Sequence, residues 1–333
     1  MNKTKSMVSC PENLGGLQKQ WKVFLMGPIQ GARDWQYRLP EIPGVTWINP
    51  RRPSYPVPNF DYNQQVRWET DGLRMANLVL CWIPEPNEDV AGRSYAQTTR
   101  FELGENIALG KRIILGAYND FPGRKYLVYK AEQNSNVDGV YSSIEDCLEA
   151  LKNYINSREE KIWFTSDTHF SSDRTLNLSC RPFSGTDEMD WTMIERWNNV
   201  VGPKDKVYHL GDFGENWPLE YLTGDIKFIP GNYEKEGKSS IDSSKVEVLG
   251  EITRLNLDNH NFVLSHEPLL AKGTQKDNEF CLFGHIHGRQ MIKKFGGLDV
   301  GVDCNNFTPV SLDKVLFYKN AIEKGYYDDE VFC

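Results

Sequence analysis

The sequence predicts an α/β protein of two consecutive domains, and three observations carry that expectation. At 333 residues the chain exceeds one ordinary hydrophobic core and suffices for two. Short apolar runs that stop at Gly, Pro or a polar residue recur along it, as buried parallel strands do. A polar stretch, Asn156-Ser157-Arg158-Glu159-Glu160, divides those runs into two sets. The expected organisation is a polar, disordered lead-in over residues 1–20, a first domain over 21–157 and a second over 161–333.

In the first domain, Val23-Phe24-Leu25-Met26 stops at Gly27-Pro28, Leu78 to Ile83 is closed by Pro84, and Arg112-Ile113-Ile114-Leu115 is closed by Gly116. Between the last two, Leu103, Ile107 and Ala108 have helical spacing, so the order reads as β-α-β units on a parallel sheet. Ser143 followed by Asp146 resembles a helix cap, and Ile144, Leu148, Leu151 and Ile155 then share one stripe of a closing helix. In the second domain, strands are expected at Lys161–Thr165, Lys206–Leu210, Ile226–Ile229, Phe262–Leu264 and Phe280–Phe283.

Composition narrows the function classes. No run approaches the roughly 20 apolar residues of a membrane span. The polar N-terminus lacks the apolar core of a secretory signal. Seven cysteines without CxxC pairs fit reduced thiols, and a cytoplasmic location is expected. A formal charge of −8 argues against duplex nucleic acid as partner. It leaves room for a small anionic substrate, because bound divalent cations would reverse the local field.

Each strand of the second domain runs into residues able to bind a metal. The sequence reads Asp167-Thr168-His169, then Gly211-Asp212, Gly231-Asn232, Ser265-His266 and Gly284-His285-Ile286-His287. Carboxylates and imidazoles at strand ends suit divalent Mn, Fe, Co, Ni or Zn. The x in Asp-x-His and His-x-His would let alternate side chains of an extended segment face one way. Glycine before a ligand permits close backbone approach. A single Asp-x-His is weak, since a lone strand histidine is more often a satisfied core residue. Four of the six histidines at successive strand ends are not explained that way.

Residues 161–317 resemble the calcineurin-like metallophosphoesterases, especially the small bacterial and phage-type members. The resemblance rests on Ser166–Phe170, Arg181-Pro182-Phe183, Val207–Phe213 and Gly284–Gly288. It implies a sandwich of αββα layers and two divalent ions, with manganese foremost. One ion would be held by Asp167, His169 and His287, the other by Asn232, His266 and His285, with Asp212 bridging. Two ions roughly 3.5–4 Å apart can clamp a phosphate for in-line displacement. The family usually reads Gly-Asn-His before an acid, whereas this chain reads Gly231-Asn232-Tyr233-Glu234. A further family histidine is replaced within Ser171-Ser172-Asp173. Tyr233 or His209 could take over leaving-group protonation. Arg181 could contact phosphate or form a surface ion pair.

In the first domain, Gly27-Pro28-Ile29, the loop Glu85–Gln97 and Glu102 would share the crevice beyond the strand ends. A carboxylate in the first turn of a helix is stabilised as the anion. Read on its own, Glu102 is a favourable N-terminal charge. Residues 22–155 resemble the nucleoside 2-deoxyribosyltransferases on Gly27–Ile29, Asn49–Arg52, Gln65–Glu69, Phe101–Gly104 and Gly110-Lys111. That resemblance implies a flavodoxin-like sheet, Glu102 as the nucleophile on the anomeric carbon, and Glu69 as the group that binds or protonates the base. Arg51 and Arg52 could recognise a 5′-phosphate or be solvated turn residues. The family also implies a homo-oligomer assembled through this domain.

Together the two halves lead to a bifunctional nucleotide-processing enzyme. The first would cleave or exchange the N-glycosidic bond of a deoxynucleoside or deoxynucleotide; the second would hydrolyse a phosphoester of a nucleotide. The alternative is a phosphodiesterase, acting on nucleotides or as a nuclease, whose first half is a non-catalytic nucleotide-binding module.

Overall fold

A computed structural model of the chain describes residues 5–54, 59–289, 292–293 and 296–325. It separates into two compact units, Met1–Glu159 and Glu160–Cys333.

The first unit is built on strands β1 (Met7–Ser9), β2 (Trp21–Met26), β3 (Val45–Asn49), β4 (Leu78–Ile83), β5 (Arg112–Ala117) and β6 (Val137–Tyr141). Among the described residues they form one all-parallel sheet in the order β1-β3-β2-β4-β5-β6. Without the edge strand β1 this is the 2-1-3-4-5 order of doubly wound flavodoxin-like sheets. β2 and β4 are buried at every position, because helices cover both faces. Helix α4 (Ile144–Ser157) packs Cys147, Leu148 and Leu151 against Val23, Leu25, Leu80 and Ile114 on one face. Helix α1 (Tyr62–Met75) lies on the other, so close that a Cβ on Gly72 would stand 3.1 Å from Phe24 and Ile48. Helices α2 (Gln97–Ala108) and α3 (Arg124–Glu132) precede β5 and β6. Ser143 caps α4 by accepting the Asp146 N–H at 3.1 Å.

Two sequence expectations are corrected here. Residues 5–20 are not a disordered lead-in: β1 pairs Met7, Val8 and Ser9 with Trp47, Ile48 and Asn49, and Cys10, Leu14 and Leu17 are buried. A tripeptide of strand in a polar stretch is below what periodicity resolves. Residues 1–4 of that stretch lie outside the described residues. The second correction concerns α2. It opens at Gln97 behind Ala96, so Glu102 is its sixth residue and lies past the first turn.

The second unit stacks two sheets. The first contains β7 (Ile162–Thr165), β8 (Lys206–His209), β9 (Asp225–Phe228), β10 (Glu247–Val248) and β16 (Val310–Ser311) in the order β10-β9-β8-β7-β16. The other contains β11 (Thr253–Leu257), β12 (His260–Leu264), β13 (Glu279–Phe283), β14 (Ile292–Lys293) and β15 (Gly297–Asp299) in the order β11-β12-β13-β15-β14. Strand alternation sends neighbours to opposite faces. Phe164, Tyr208, Phe262, Leu264, Phe280 and Leu282 meet between the sheets, where helix α9 (Leu312–Glu323) adds Val315. Trp163, Val207 and Phe228 point outward to Met193, Ile194 and Trp197 of α6 (Thr186–Val200). On the far side Val263, Cys281 and Phe283 pack on Ala271 of α8 (Pro268–Thr274). The layers are therefore α, β, β, α. Two short helices, α5 (Asp173–Leu178) and α7 (Asn232–Lys235), start in the loops after β7 and β9.

Candidate functional site

In the second unit the loops after β7, β8, β9, β12 and β13 meet at one end of the sandwich. Backbone hydrogen bonds stitch the first two together: Asp167 to Gly211 at 3.0 Å, His169 to Asp212 at 3.0 Å and Phe170 to Phe213 at 2.8 Å. Glu234 then ties in the third, its carboxylate accepting from the backbone N–H groups of Asp212, Phe213 and Gly231 at 2.9–3.1 Å. The fourth joins where His266 Nδ1 meets the Leu210 carbonyl at 2.7 Å. A carbonyl only accepts, so this bond puts the proton on Nδ1 and turns Nε2 to the site. The fifth joins through the His285 N–H, which donates to Asp167 Oδ2 at 2.9 Å.

These bonds bring all seven candidate ligands together. Asp167, His169 and His287 place ligand atoms within 4.8 Å of one another, as do Asp167, Asp212 and His266. Asp212 Oδ2 stands 3.5 Å from both His169 Nε2 and His266 Nε2. Asn232 Oδ1 lies 2.9 Å from His266 Nε2 and 2.9 Å from His285 Nδ1. The means differ from the expected extended spacing. Asp167, His169, Asp212, His285 and His287 all have φ between 46° and 73°. The segments therefore turn at each ligand instead of alternating, at a cost of order 1–3 kcal/mol per residue that the surrounding hydrogen bonds must offset. Glycine is required for close approach: a Cβ on Gly284 would stand 2.1 Å from Ser166 Oγ, and one on Gly231 2.2 Å from Asp212 Oδ1.

The donor set fits divalent cations. His169 is buried, and neither of its ring nitrogens has a hydrogen-bond partner among the described residues. Such a group is costly unless something else satisfies it. Burial disfavours its cationic form and pulls its pKa down to about 3, leaving a neutral imidazole suited to ligation. His285 is also shifted down, by burial and by His266. Asp212 is pushed up to about 6, chiefly by burial. At Asp167 burial pushes upward, yet the charges of His266, His287 and His169 outweigh it and lower the pKa.

A cavity of about 770 Å³ lies in the first unit. Gly27, Pro28, Ile29, Arg52, Glu69 and Glu102 line it, beyond the strand C-termini where the order turns from β3 to β4 around β2. Gly27 leaves room for the Trp82 carbonyl, which a Cβ would approach to 2.3 Å. Gln65 donates to Glu69 Oε1 at 2.9 Å and accepts from Arg52 Nε at 2.8 Å. Arg51 does not line the cavity; its Nη1 sits 3.3–3.5 Å from the carbonyls of Ile29, Ala32 and Arg33 and so braces the Gly27 loop. Burial, then the charges of Glu69 and Glu105, push Glu102 up to about 8. Burial also raises Glu69. The expected stabilisation of an anionic Glu102 by the helix terminus is overturned, because the dipole fades within the first turn.

Residues 20–121 match the nucleoside 2-deoxyribosyltransferase like family, and residues 161–301 match the calcineurin-like phosphoesterase superfamily domain. An uncharacterized protein of Methanocaldococcus jannaschii, MJ1445, is 35% identical over 179 residues, 50% of this chain and 93% of the relative. The chain thus carries a nucleoside 2-deoxyribosyltransferase-like domain followed by a calcineurin-like phosphoesterase domain. The gene 66 protein of Mycobacterium phage L5 is 23% identical over 179 residues, 43% of this chain and 86% of its own. Among solved structures, a protein of unknown function from Aquifex aeolicus, AQ665, aligns over 48% of this chain and 100% of its own at 20% identity and TM-score 0.40.

Within this phosphoesterase domain two further expectations change. Arg181 does not sit on the surface, and its guanidinium donors are engaged inward. Its buried guanidinium grips Asp303 at 2.8 and 2.9 Å and the carbonyls of Thr168 and Asp167 at 2.8 and 2.6 Å. His209 is fully buried between Phe213 and Phe228, with Nε2 3.0 Å from Thr168 Oγ1, so it cannot protonate a leaving group. Tyr233 remains at the site: its ring stands edge-on to His169 at 4.7 Å, and its N–H donates to Asp212 Oδ1 at 2.9 Å. Asp303 is a residue of the candidate site that motif spacing does not reveal. It accepts from His287 Nδ1 at 2.8 Å, which leaves Nε2 to face the ligand cluster. Burial favours a neutral Asp303, but His287 and Arg181 hold its pKa down at about 2. His287 is raised in turn: burial opposes its cation, and the Asp303 hydrogen bond prevails. Asp303 lies 16 residues beyond His287, in a stretch without motif spacing, so no sequence signal points to it.

Proposed function

We propose that the second half hydrolyses a phosphoester of a nucleotide-sized substrate with two divalent ions. The observation that carries this is the convergence of two carboxylates, one amide and four imidazoles from five loops. Asp167, His169 and His287 would hold one ion, Asn232, His266 and His285 the other, and Asp212 both; manganese is the metal to test first. Bound divalent ions supply Lewis acidity toward phosphoryl oxygens and lower the pKa of water. The chain's own contribution is orientation. Asp303 and Leu210 fix two imidazoles, the Tyr233 N–H fixes Asp212, and Glu234 holds the loops that carry Asp212 and Asn232.

For the first half we propose cleavage or exchange of the N-glycosidic bond of a deoxynucleoside or its monophosphate. Glu69 and Glu102 facing one cavity support it, and the raised Glu102 pKa makes it pH-dependent. A nucleophilic Glu102 must be ionised, so kcat/KM for base release should climb toward a plateau above about pH 8. A raised pKa also suits a second reading, in which this half only binds the nucleotide and Glu102 stays neutral.

The deciding experiment incubates the manganese-loaded protein with a nucleotide panel and reads free base and free phosphate separately by mass spectrometry. Glu102→Gln should lower base release about 10²–10⁴-fold while phosphate release persists. Asp212→Asn should do the reverse. Base release from no substrate would favour the binding reading, and phosphate release from none, with metals bound, would end the hydrolase reading.

A further inference from the structure

Arg174 is an exposed cation linked to the candidate metal ligands through Tyr233. It lies in the first turn of α5, and its Nη1 donates to the Tyr233 hydroxyl oxygen. Tyr233 is held at three points: backbone N–H on Asp212, ring edge on His169, hydroxyl on Arg174. Accepting from Arg174 leaves the phenol's own hydrogen available, and among the described residues the Tyr233 hydroxyl meets no acceptor. Arg174 likewise meets no carboxylate among the described residues. The neighbouring cations differ: Lys235 pairs with Glu251 and Glu267, Lys238 with Glu236, and Lys245 with Glu220. Lys238, neutralised by Glu236, sets its Nζ 5.2 Å from the Tyr233 ring centroid and within electrostatic reach of Arg174. A protein of net charge −8 thus places one guanidinium with no carboxylate partner among the described residues, and a phenol O–H, beside its candidate metal ligands.

We infer that Arg174 and Tyr233 form an anion-recognition pair for the outward oxygens of the substrate phosphoryl group, selecting a terminal, dianionic phosphate. The inference rests on the phosphoesterase reading above. A guanidinium keeps several N–H groups in a fixed fork and binds phosphate by charge-assisted hydrogen bonds. A phenol O–H beside it donates to a further oxygen. A terminal phosphate carries one more ionisable oxygen than a diester, so removing the cation harms its binding more. Arg174 and Tyr233 are specificity residues here, and no proton transfer is assigned to either.

The test compares the full-length manganese-loaded protein with Arg174→Ala and Tyr233→Phe. Manganese affinity and melting temperature are measured first, to establish that each variant folds and loads. Inorganic phosphate is then titrated calorimetrically, and KM is measured for 4-nitrophenyl phosphate and bis(4-nitrophenyl) phosphate. Arg174→Ala should weaken phosphate binding and raise the monoester KM by tenfold or more, with the diester KM changed less than threefold. Tyr233→Phe should do the same more weakly. Unchanged phosphate affinity in a fully loaded Arg174→Ala protein would overturn the inference alone. Equal loss on both esters would overturn the selection of dianions. Failure of the wild-type protein, with manganese bound, to bind phosphate or cleave either ester would overturn the phosphoesterase reading itself.

Discussion

Asp303 shows how a residue outside the ligand set governs it. Its carboxylate receives both the Arg181 fork and the His287 Nδ1–H, in a site where the Arg181 side chain has no solvent exposure. Asp303→Asn keeps the shape but removes the charge that balances Arg181 and orients His287. Metal affinity should fall about 10–100-fold, read by manganese titration. The melting temperature should drop as well, because an uncompensated buried guanidinium costs about 3–5 kcal/mol. Glu102 makes a prediction of opposite electrostatic sense. Its folded pKa, about 8, lies above the ordinary 4.5, so folding favours the protonated form. The stability it contributes is complete below pH 4.5 and is lost as pH rises through about 8. Melting of the first unit followed from pH 5 to pH 9 should therefore fall in the wild type and flatten in Glu102→Gln.

At the scale of elements, the ligand loops carry the strain and the strands carry the frame. β7, β8 and β9 run parallel in register, so their C-terminal ends deliver Asp167, Asp212 and Asn232 to one edge. β12 and β13, parallel neighbours in the other sheet, do the same for His266 and His285. The loops then bend into the left-handed region at five ligands and rely on backbone hydrogen bonds and on Glu234 to stay there. Gly284 is the tightest point of that assembly. Gly284→Ala would drive a methyl group to 2.1 Å from Ser166 Oγ and 2.3 Å from Asp167 Oδ2. Stability should fall by roughly 1–3 kcal/mol. Metal affinity should fall with it, since Asp167 is the group displaced; denaturant melts with and without manganese separate the two effects.

The whole molecule consists of two units with separate cores, and the two candidate sites divide the same way. Metal binding is linked to folding only in the unit that holds the ligands. At a hundredfold excess over its dissociation constant, an ion binding only the folded state adds about 2.7 kcal/mol. Chelation should therefore lower the melting of the second unit and leave that of the first in place, measured by calorimetry with and without EDTA. A single transition that shifts as a whole would show that the two units unfold together. Among the described residues no helix is long and apolar enough to cross a membrane.

Much of this was legible because it is local. Apolar runs such as Leu78–Ile83 and the Ser143 cap announce their own conformation, and a strand end closed by Gly284-His285-Ile286-His287 announces metal chemistry without a partner in view. What remained hidden depended on distant contacts. The edge strand Met7–Ser9 exists because β3 offers it a ladder, and Gln65 and Glu69 of α1 face a cavity that only the assembled sheet creates. The fates of Arg181 and His209 were set by burial among residues far away in the chain. By itself the sequence determined which groups can ligate and which segments form strands, since composition and short-range periodicity suffice for both. Only the tertiary structure decided which groups meet, which are buried and which way each imidazole turns, because those depend on loops brought together across two sheets.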